Sequence, residues 1–173
     1  MEITSDFEER VRRYIRRVES DPKFSVQSNR VRTEALKNHY GRAKARNFEF
    51  FSDEPENGGE NRGPRPLEYF LAGFAFCQQV QYASYAALRG IDVTDLKIDV
   101  NGLVDQRGIF EIGDVKPGFK KIKYTVKIET SEDVDTIMNL VKKAEQICPA
   151  HATLREPIQP IRDVVINGEK IRP

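Results

Sequence analysis

From Leu67 to Arg89 the sequence reads as one long helix, closed by Gly90 as a C-cap, and its first half, Leu67-Glu68-Tyr69-Phe70-Leu71-Ala72-Gly73-Phe74-Ala75-Phe76-Cys77, is apolar nearly all round. A helix of that pattern has almost no face to offer to water, so it belongs at the centre of the fold and is expected to be buried on all sides. Its longest uninterrupted apolar run, Tyr69 to Cys77, is nine residues. That is far below the roughly 20 needed to span a bilayer, so no membrane segment is expected.

The rest of the chain has to cover that helix. Phe7, Val11, Tyr14, Ile15 and Val18 recur at helical spacing among charged residues, which predicts an amphipathic helix ended by Asp21-Pro22. From Lys23 to Phe51 the text turns strand-like: Phe24 and Val26 alternate with polar residues, Tyr40-Gly41 makes a break, and Phe48, Phe50 and Phe51 close the run. Two or three antiparallel strands are expected there. The 15-residue stretch Ser52 to Pro66 holds three glycines and three prolines and reads as a functional loop.

Beyond the central helix, Leu96, Ile98 and Val100 alternate in one segment and Ile122, Tyr124, Val126 and Ile128 in another, predicting a half-buried antiparallel pair. Thr130 or Ser131 can cap the next helix, whose core face carries Val134, Ile137, Met138, Val141 and Ala144, and Pro149 stops it. Asn167-Gly168 between short apolar runs signals a terminal hairpin. The class is α+β: antiparallel strands around one apolar central helix. Residues 1–22 form an N-terminal helical extension and 23–173 a single domain.

Charge excludes some partners. With 28 basic and 27 acidic residues the net charge is +1, so no global field draws in nucleic acid or an anionic membrane. The arginines of the first helix lack interleaved aromatics and read as a solvated face, not an RNA surface. The opening residues Met1 to Asp6 lack the basic start and apolar core of a signal peptide, so a cytoplasmic location is expected. At 32% charged residues, part of the apolar surface is expected to be completed by a second subunit.

Chemistry narrows to Cys77 and Cys148, the only two cysteines. Such a pair can be buried bystanders, a structural disulfide, metal ligands or a thiol redox couple. A reducing compartment argues against a permanent disulfide. Cys148-Pro149-Ala150-His151, with Cys77 and His39, would compose a two-cysteine, two-histidine zinc site only with ligands scattered in a way zinc sites avoid. No metal is expected, and no cofactor, because the loop glycines lack the glycine-to-lysine spacing of a phosphate loop.

Gly63-Pro64-Arg65-Pro66-Leu67-Glu68-Tyr69-Phe70-Leu71-Ala72-Gly73-Phe74-Ala75-Phe76-Cys77 after a glycine-rich loop, followed much later by Ala144-Glu145-Gln146-Ile147-Cys148-Pro149, resembles the OsmC/Ohr family of thiol-dependent peroxidases. Asp53-Glu54-Pro55 and Gly58-Gly59 point to its OsmC-like branch. The resemblance implies an intertwined homodimer, with two central helices wrapped by sheets from both chains. It also implies reduction of an organic hydroperoxide to an alcohol: Cys77 attacks and becomes a sulfenic acid, Cys148 condenses with it to a disulfide, and an external dithiol resets the pair.

Thiol electrostatics fits that division. A cysteine of ordinary pKa, about 8.5, is only a few per cent thiolate at neutral pH. About three turns into its helix, Cys77 is too deep for the N-terminal dipole to help, so a nearby arginine is required. Cys148, at a helix C-terminus, faces the negative end of the dipole and should ionise less readily, which suits the resolving role. In the family the activating arginine comes from the N-terminal strands and is oriented by a glutamate at the helix start. Arg46 resembles that strand-end arginine, with Arg42 and Arg32 as alternatives. Where classical members read Asn-Pro-Glu, this chain reads Pro66-Leu67-Glu68, and the one-residue shift turns Glu68 by roughly 100° about the helix axis. Two function classes therefore fit: a hydroperoxide reductase using Cys77, Cys148, Arg46 and Glu68, or a non-peroxidatic OsmC-like protein that binds a small apolar or thiol-reactive ligand in the dimer cleft. Both cysteines favour the first, and the displaced glutamate favours the second.

Overall fold

The protein is described here by a computed structural model covering Met1 and residues 3–171. The amphipathic stretch forms α1 (Phe7–Ser20), which runs into a one-turn helix α2 (Pro22–Ser25). The expected strand at Phe24 and Val26 is therefore not formed. The Asp21 side chain accepts hydrogen bonds from the Lys23 and Phe24 N–H groups, and Pro22 at the first helical position adds its preset φ, so local capping overrides a two-residue alternation. Phe24 instead packs edge-on against Tyr14, with ring centroids 5.4 Å apart.

Three antiparallel strands follow, β1 (Arg32–Lys37), β2 (Tyr40–Ala45) and β3 (Phe48–Ser52), in the order β1-β2-β3. The expected break at Tyr40-Gly41 falls two residues earlier. Asn38 takes φ 48° in the β1–β2 turn, a conformation asparagine tolerates, and Tyr40 and Gly41 already pair with Lys37 and Ala35. Every residue of β1 is exposed. Tyr69 ties this sheet to the helix that follows: its hydroxyl donates to the Phe51 carbonyl at 2.6 Å and its ring lies 5.4 Å from that of Phe50.

The long loop is organised by Asp53, which is buried and whose carboxylate accepts backbone N–H bonds from Glu54, Glu60 and Arg62. It delivers the chain to α3 (Pro66–Arg89), which ends as expected on Gly90 at φ 63°, the left-handed conformation that glycine adopts without cost. The strands β4 (Asp95–Val104) and β5 (Phe119–Glu129) pair antiparallel with Leu96 opposite Ile128, Ile98 opposite Val126 and Val100 opposite Tyr124. Their inward residues cover one side of α3. A short helix α4 (Gln106–Ile109) lies in the connection between them.

Helix α5 (Val134–Ile147) is capped by Asp133, not by Thr130 or Ser131. Asp133 accepts from the Thr136 N–H at 2.9 Å, while Thr130 donates to the Asp92 carbonyl and Ser131 to the Asp92 carboxylate. That later start leaves Val134 exposed in the first turn and not in the core. Pro149 ends α5 but also begins a further helix, α6 (Pro149–Arg155), because proline suits a first helical turn. The hairpin β6 (Val164–Ile166) and β7 (Glu169–Ile171) turns on Asn167 and Gly168, both at positive φ.

The core comprises Tyr82 and Ala86 of α3, Val93, and Leu140 and Ala144 of α5. It uses one face of α3 only. Phe74, Gln78, Tyr82 and Ala86 are buried, whereas Phe70, Phe76 and Val80 are 48%, 66% and 58% exposed. Burial on all sides is thus not met within one chain. A folded monomer of this mass exposes about 8,700 Å². This chain exposes 13616 Å².

Candidate active site

Cys77 and Cys148 are free thiols and neighbours, Cys77 on α3 half-buried and Cys148 between α5 and α6 wholly buried. Burial pushes the Cys148 thiol pKa up; the His151 and Ala150 N–H groups oppose that, and the adjacent Cys77 thiol adds to it. The direction is the one expected for a helix C-terminus, but the cause is different. Cys148 stands at the start of α6 as well as the end of α5, where the nearby Ala150 and His151 N–H groups draw its pKa down, and it is desolvation that keeps the proton on.

A polar cluster that the sequence did not reveal surrounds this pair. The Tyr124 hydroxyl of β5 donates to the Glu145 carboxylate of α5. Burial first, and then Glu145, pushes the Tyr124 pKa up to about 12, although the Gln78 amide beside it acts in the opposite direction. Tyr82 is raised by its own burial and by Glu145, Tyr124 and Cys148. Gln78 and Tyr82, four residues apart on the buried face of α3, have no well-formed hydrogen bond at the amide or hydroxyl. His151 closes the cluster with its ring centroid 6.0 Å from Phe74 and 6.3 Å from Tyr124. Tyr124 reads in sequence as one more inward strand residue. The only signal available was that Glu145 and Cys148 stand three residues apart, hence on one helix face.

Arg46 occupies the β2–β3 turn at φ 56°, exposed, with its guanidinium 5.1 Å from the centre of the Phe48 ring. Arg42 is held by Glu34 at 2.6 Å and lies 3.6 Å from Glu49, and Arg32 opens the exposed strand β1. Glu68 caps α3, accepting the Arg65 N–H at 2.9 Å. The four expected site residues thus divide into a joined pair, Cys77 with Cys148, and two outlying groups, Arg46 and Glu68. His39 is bonded to the Gly58 carbonyl at 2.6 Å, whereas His151 packs by Phe74 and Tyr124.

The family model described as OsmC-like protein matches residues 58–161, more than half of the chain and including both cysteines. The chain belongs to the OsmC family. Solved structures share the fold. An OsmC-like protein from Mycoplasma pneumoniae is 20% identical, covering 76% of this chain and 89% of its own, with a TM-score of 0.67. An organic hydroperoxide resistance protein OsmC from Legionella pneumophila is 19% identical over 76% of this chain and 91% of its own, with a TM-score of 0.56. The organic hydroperoxide resistance protein OhrB of Bacillus subtilis is 21% identical over 76% and 93%, with a TM-score of 0.52. No curated protein sequence matches. The OsmC match includes Glu68, Tyr124 and Glu145 but not α1, Arg32, Arg42 or Arg46. Among the described residues, no helix of this OsmC-family protein is long and apolar enough to cross a membrane.

Proposed function

We propose that this OsmC-family chain is a cysteine-based peroxidase that reduces organic hydroperoxides to alcohols. One observation carries the reading: a half-exposed Cys77 stands directly against a buried Cys148. The Cys77 thiolate attacks the peroxide oxygen, the O–O bond breaks, an alcohol leaves after taking a proton, and Cys77 becomes a sulfenic acid. Cys148 then displaces water from that sulfenic acid, and an external dithiol reduces the disulfide. A cytoplasmic setting, where such dithiols are kept reduced, goes with this cycle.

The working unit in this reading is a homodimer. The excess exposed area of ~4,900 Å² over a folded monomer and the open Phe70, Phe76 and Val80 face of α3 support it, since a chain folded on its own rarely leaves so large an apolar surface uncovered. A second copy would lay its α3 along that face and receive the exposed β1-β2-β3 sheet, which is how Arg46 would come to a cysteine pair. Residues 1–22 act as an extension to this unit, with 23–173 as the OsmC-like domain.

The deciding experiment is stoichiometric titration of the reduced protein with cumene hydroperoxide and with hydrogen peroxide, following free thiols and intact mass. Rapid loss of two thiols per chain, faster with the organic peroxide, supports the enzyme. Thiols that survive excess peroxide support the other reading, a binding protein for a small apolar or thiol-reactive ligand. Its favouring observation is that Glu68 is engaged at the Arg65 backbone and Arg46 over Phe48.

A further inference from the structure

The two cysteines of the pair differ in what surrounds them. Cys77 reaches solvent, whereas Cys148 has no exposed surface and must lose a proton from inside the protein before it can attack. Burial raises the cost of that loss. Hydroxide is scarce at neutral pH and reaches a wholly buried sulfur only slowly, so an internal acceptor is needed there.

Glu145 stands one helical turn before Cys148 on the same face of α5, and the Tyr124 hydroxyl bridges toward it from β5. Burial first, with Glu145 and Cys148 nearby, pushes the pKa of both Tyr124 and Tyr82 up. Of these two hydroxyls only that of Tyr124 has an acceptor; Tyr82 has none. The carboxylate of Glu145 is half-buried and so keeps an outlet to water. The titratable groups of this cluster are Cys77 and Tyr82 from α3, Tyr124 from β5, Glu145 from α5 and His151 from α6.

We propose that Glu145, acting through the Tyr124 hydroxyl, is the proton acceptor that readies Cys148 for attack on an electrophilic Cys77 sulfur. In the resolving step the Cys148 S–H bond and the Cys77 S–O bond break and the S–S bond forms. The Cys148 sulfur is oxidised and the Cys77 sulfur reduced. The thiol proton passes to the Tyr124 oxygen while the tyrosine proton passes to Glu145, and the proton finally joins the departing hydroxide as water. Glu145 is a positioning and relay residue here, since it acts through Tyr124. The role rests on the resolving assignment of Cys148 in the peroxidase reading.

The test needs no peroxide. Ellman's reagent converts the accessible Cys77 to a mixed disulfide, and attack by Cys148 then releases a second coloured thiolate, whose rate reports Cys148 alone. In the wild-type protein that rate is expected to be nearly flat across about pH 6 to 8, as an internal base predicts. In Glu145→Gln and in Tyr124→Phe, both nearly isosteric, it should be on the order of 10 to 100 times slower at neutral pH and should rise about tenfold per pH unit. First-release rates should stay at the wild-type value, a pattern a merely structural defect would not give. If one variant fails to fold, the other carries the test. A wild-type second release that already rises tenfold per unit, or variants indistinguishable from it, overturns the proposal. Inertness toward peroxide with this pH pattern intact would instead overturn the peroxidase reading and leave the relay standing.

Discussion

Cys148 is wholly buried against Cys77, which is itself half-exposed. In the peroxidase reading that asymmetry makes Cys77 the first thiol to react and Cys148 the second. Native protein treated with iodoacetamide should be alkylated at Cys77 at least about tenfold faster than at Cys148, because reactivity follows thiolate fraction and access. Peptide mass mapping over time reads this, and the two rates should converge in denaturant. Equal native rates would sink the assignment.

The same order predicts unequal variants. Cys77→Ser should abolish peroxide turnover. Cys148→Ser should permit one attack per subunit and leave a Cys77 sulfenic acid that dimedone traps and excess peroxide over-oxidises. Sulfenic acid trapped on Cys148 in Cys77→Ser, at a comparable rate, would reverse the roles.

Glu68 offers a way to separate capping from catalysis. It caps α3 through the Arg65 N–H, so Glu68→Ala should cost about 0.5–2 kcal/mol in denaturant unfolding, while Glu68→Gln keeps most of that bond. If Glu68 also orients Arg46, Glu68→Gln should slow peroxide reduction without unfolding the protein. Arg46→Ala should slow it on the order of a hundredfold, as loss of a charge-stabilising donor does. An unchanged rate in Arg46→Ala would direct the search to Arg42 or Arg32.

The open face of α3 predicts assembly. Phe76→Glu, at a position 66% exposed in the single chain, should leave the fold of one chain intact and shift a dimer to monomer in sedimentation or light scattering. A wild-type protein that runs as a monomer at micromolar concentration would refute the shared core.

Asp53 predicts a pH window. Burial opposes its ionisation, but the N–H bonds from Glu54, Glu60 and Arg62 outweigh burial and hold its pKa below the ordinary carboxylate range. A lowered folded pKa stabilises the loop above the unfolded value of about 3.9 and is lost as pH falls through the folded one. Hydrogen exchange at residues 54–62 should therefore be protected at pH 5 and above and should accelerate below about pH 4. Asp53→Ala should abolish that protection at every pH.

Much was legible in the residues themselves. The apolar run ended by Gly90 fixed α3 to within one residue, and the period-two runs around Ile98 and Val126 fixed β4 and β5, because propensity, period and stop signals agreed there. The proline-led helix with Cys77 and the later Cys148-Pro149 pointed to the family, and through it to the thiol pair. Where the reading failed, two short-range signals competed: Asp21 capping turned Phe24 into a helix, and Asp133 outbid Thr130, whose hydroxyl donates to the carbonyl of Asp92, 38 residues away. Sequence by itself determined the long helices α1, α3 and α5, the paired strands β4 and β5 and the two candidate thiols, since those follow from local periodicity and residue type. Only the tertiary structure decided that Cys148 is the desolvated partner, that Tyr124 and Glu145 converge on it, and that α3 keeps one apolar face bare. Those facts depend on which side chains meet across α3, β5 and α5, and contacts between segments so far apart along the chain leave no period in the sequence.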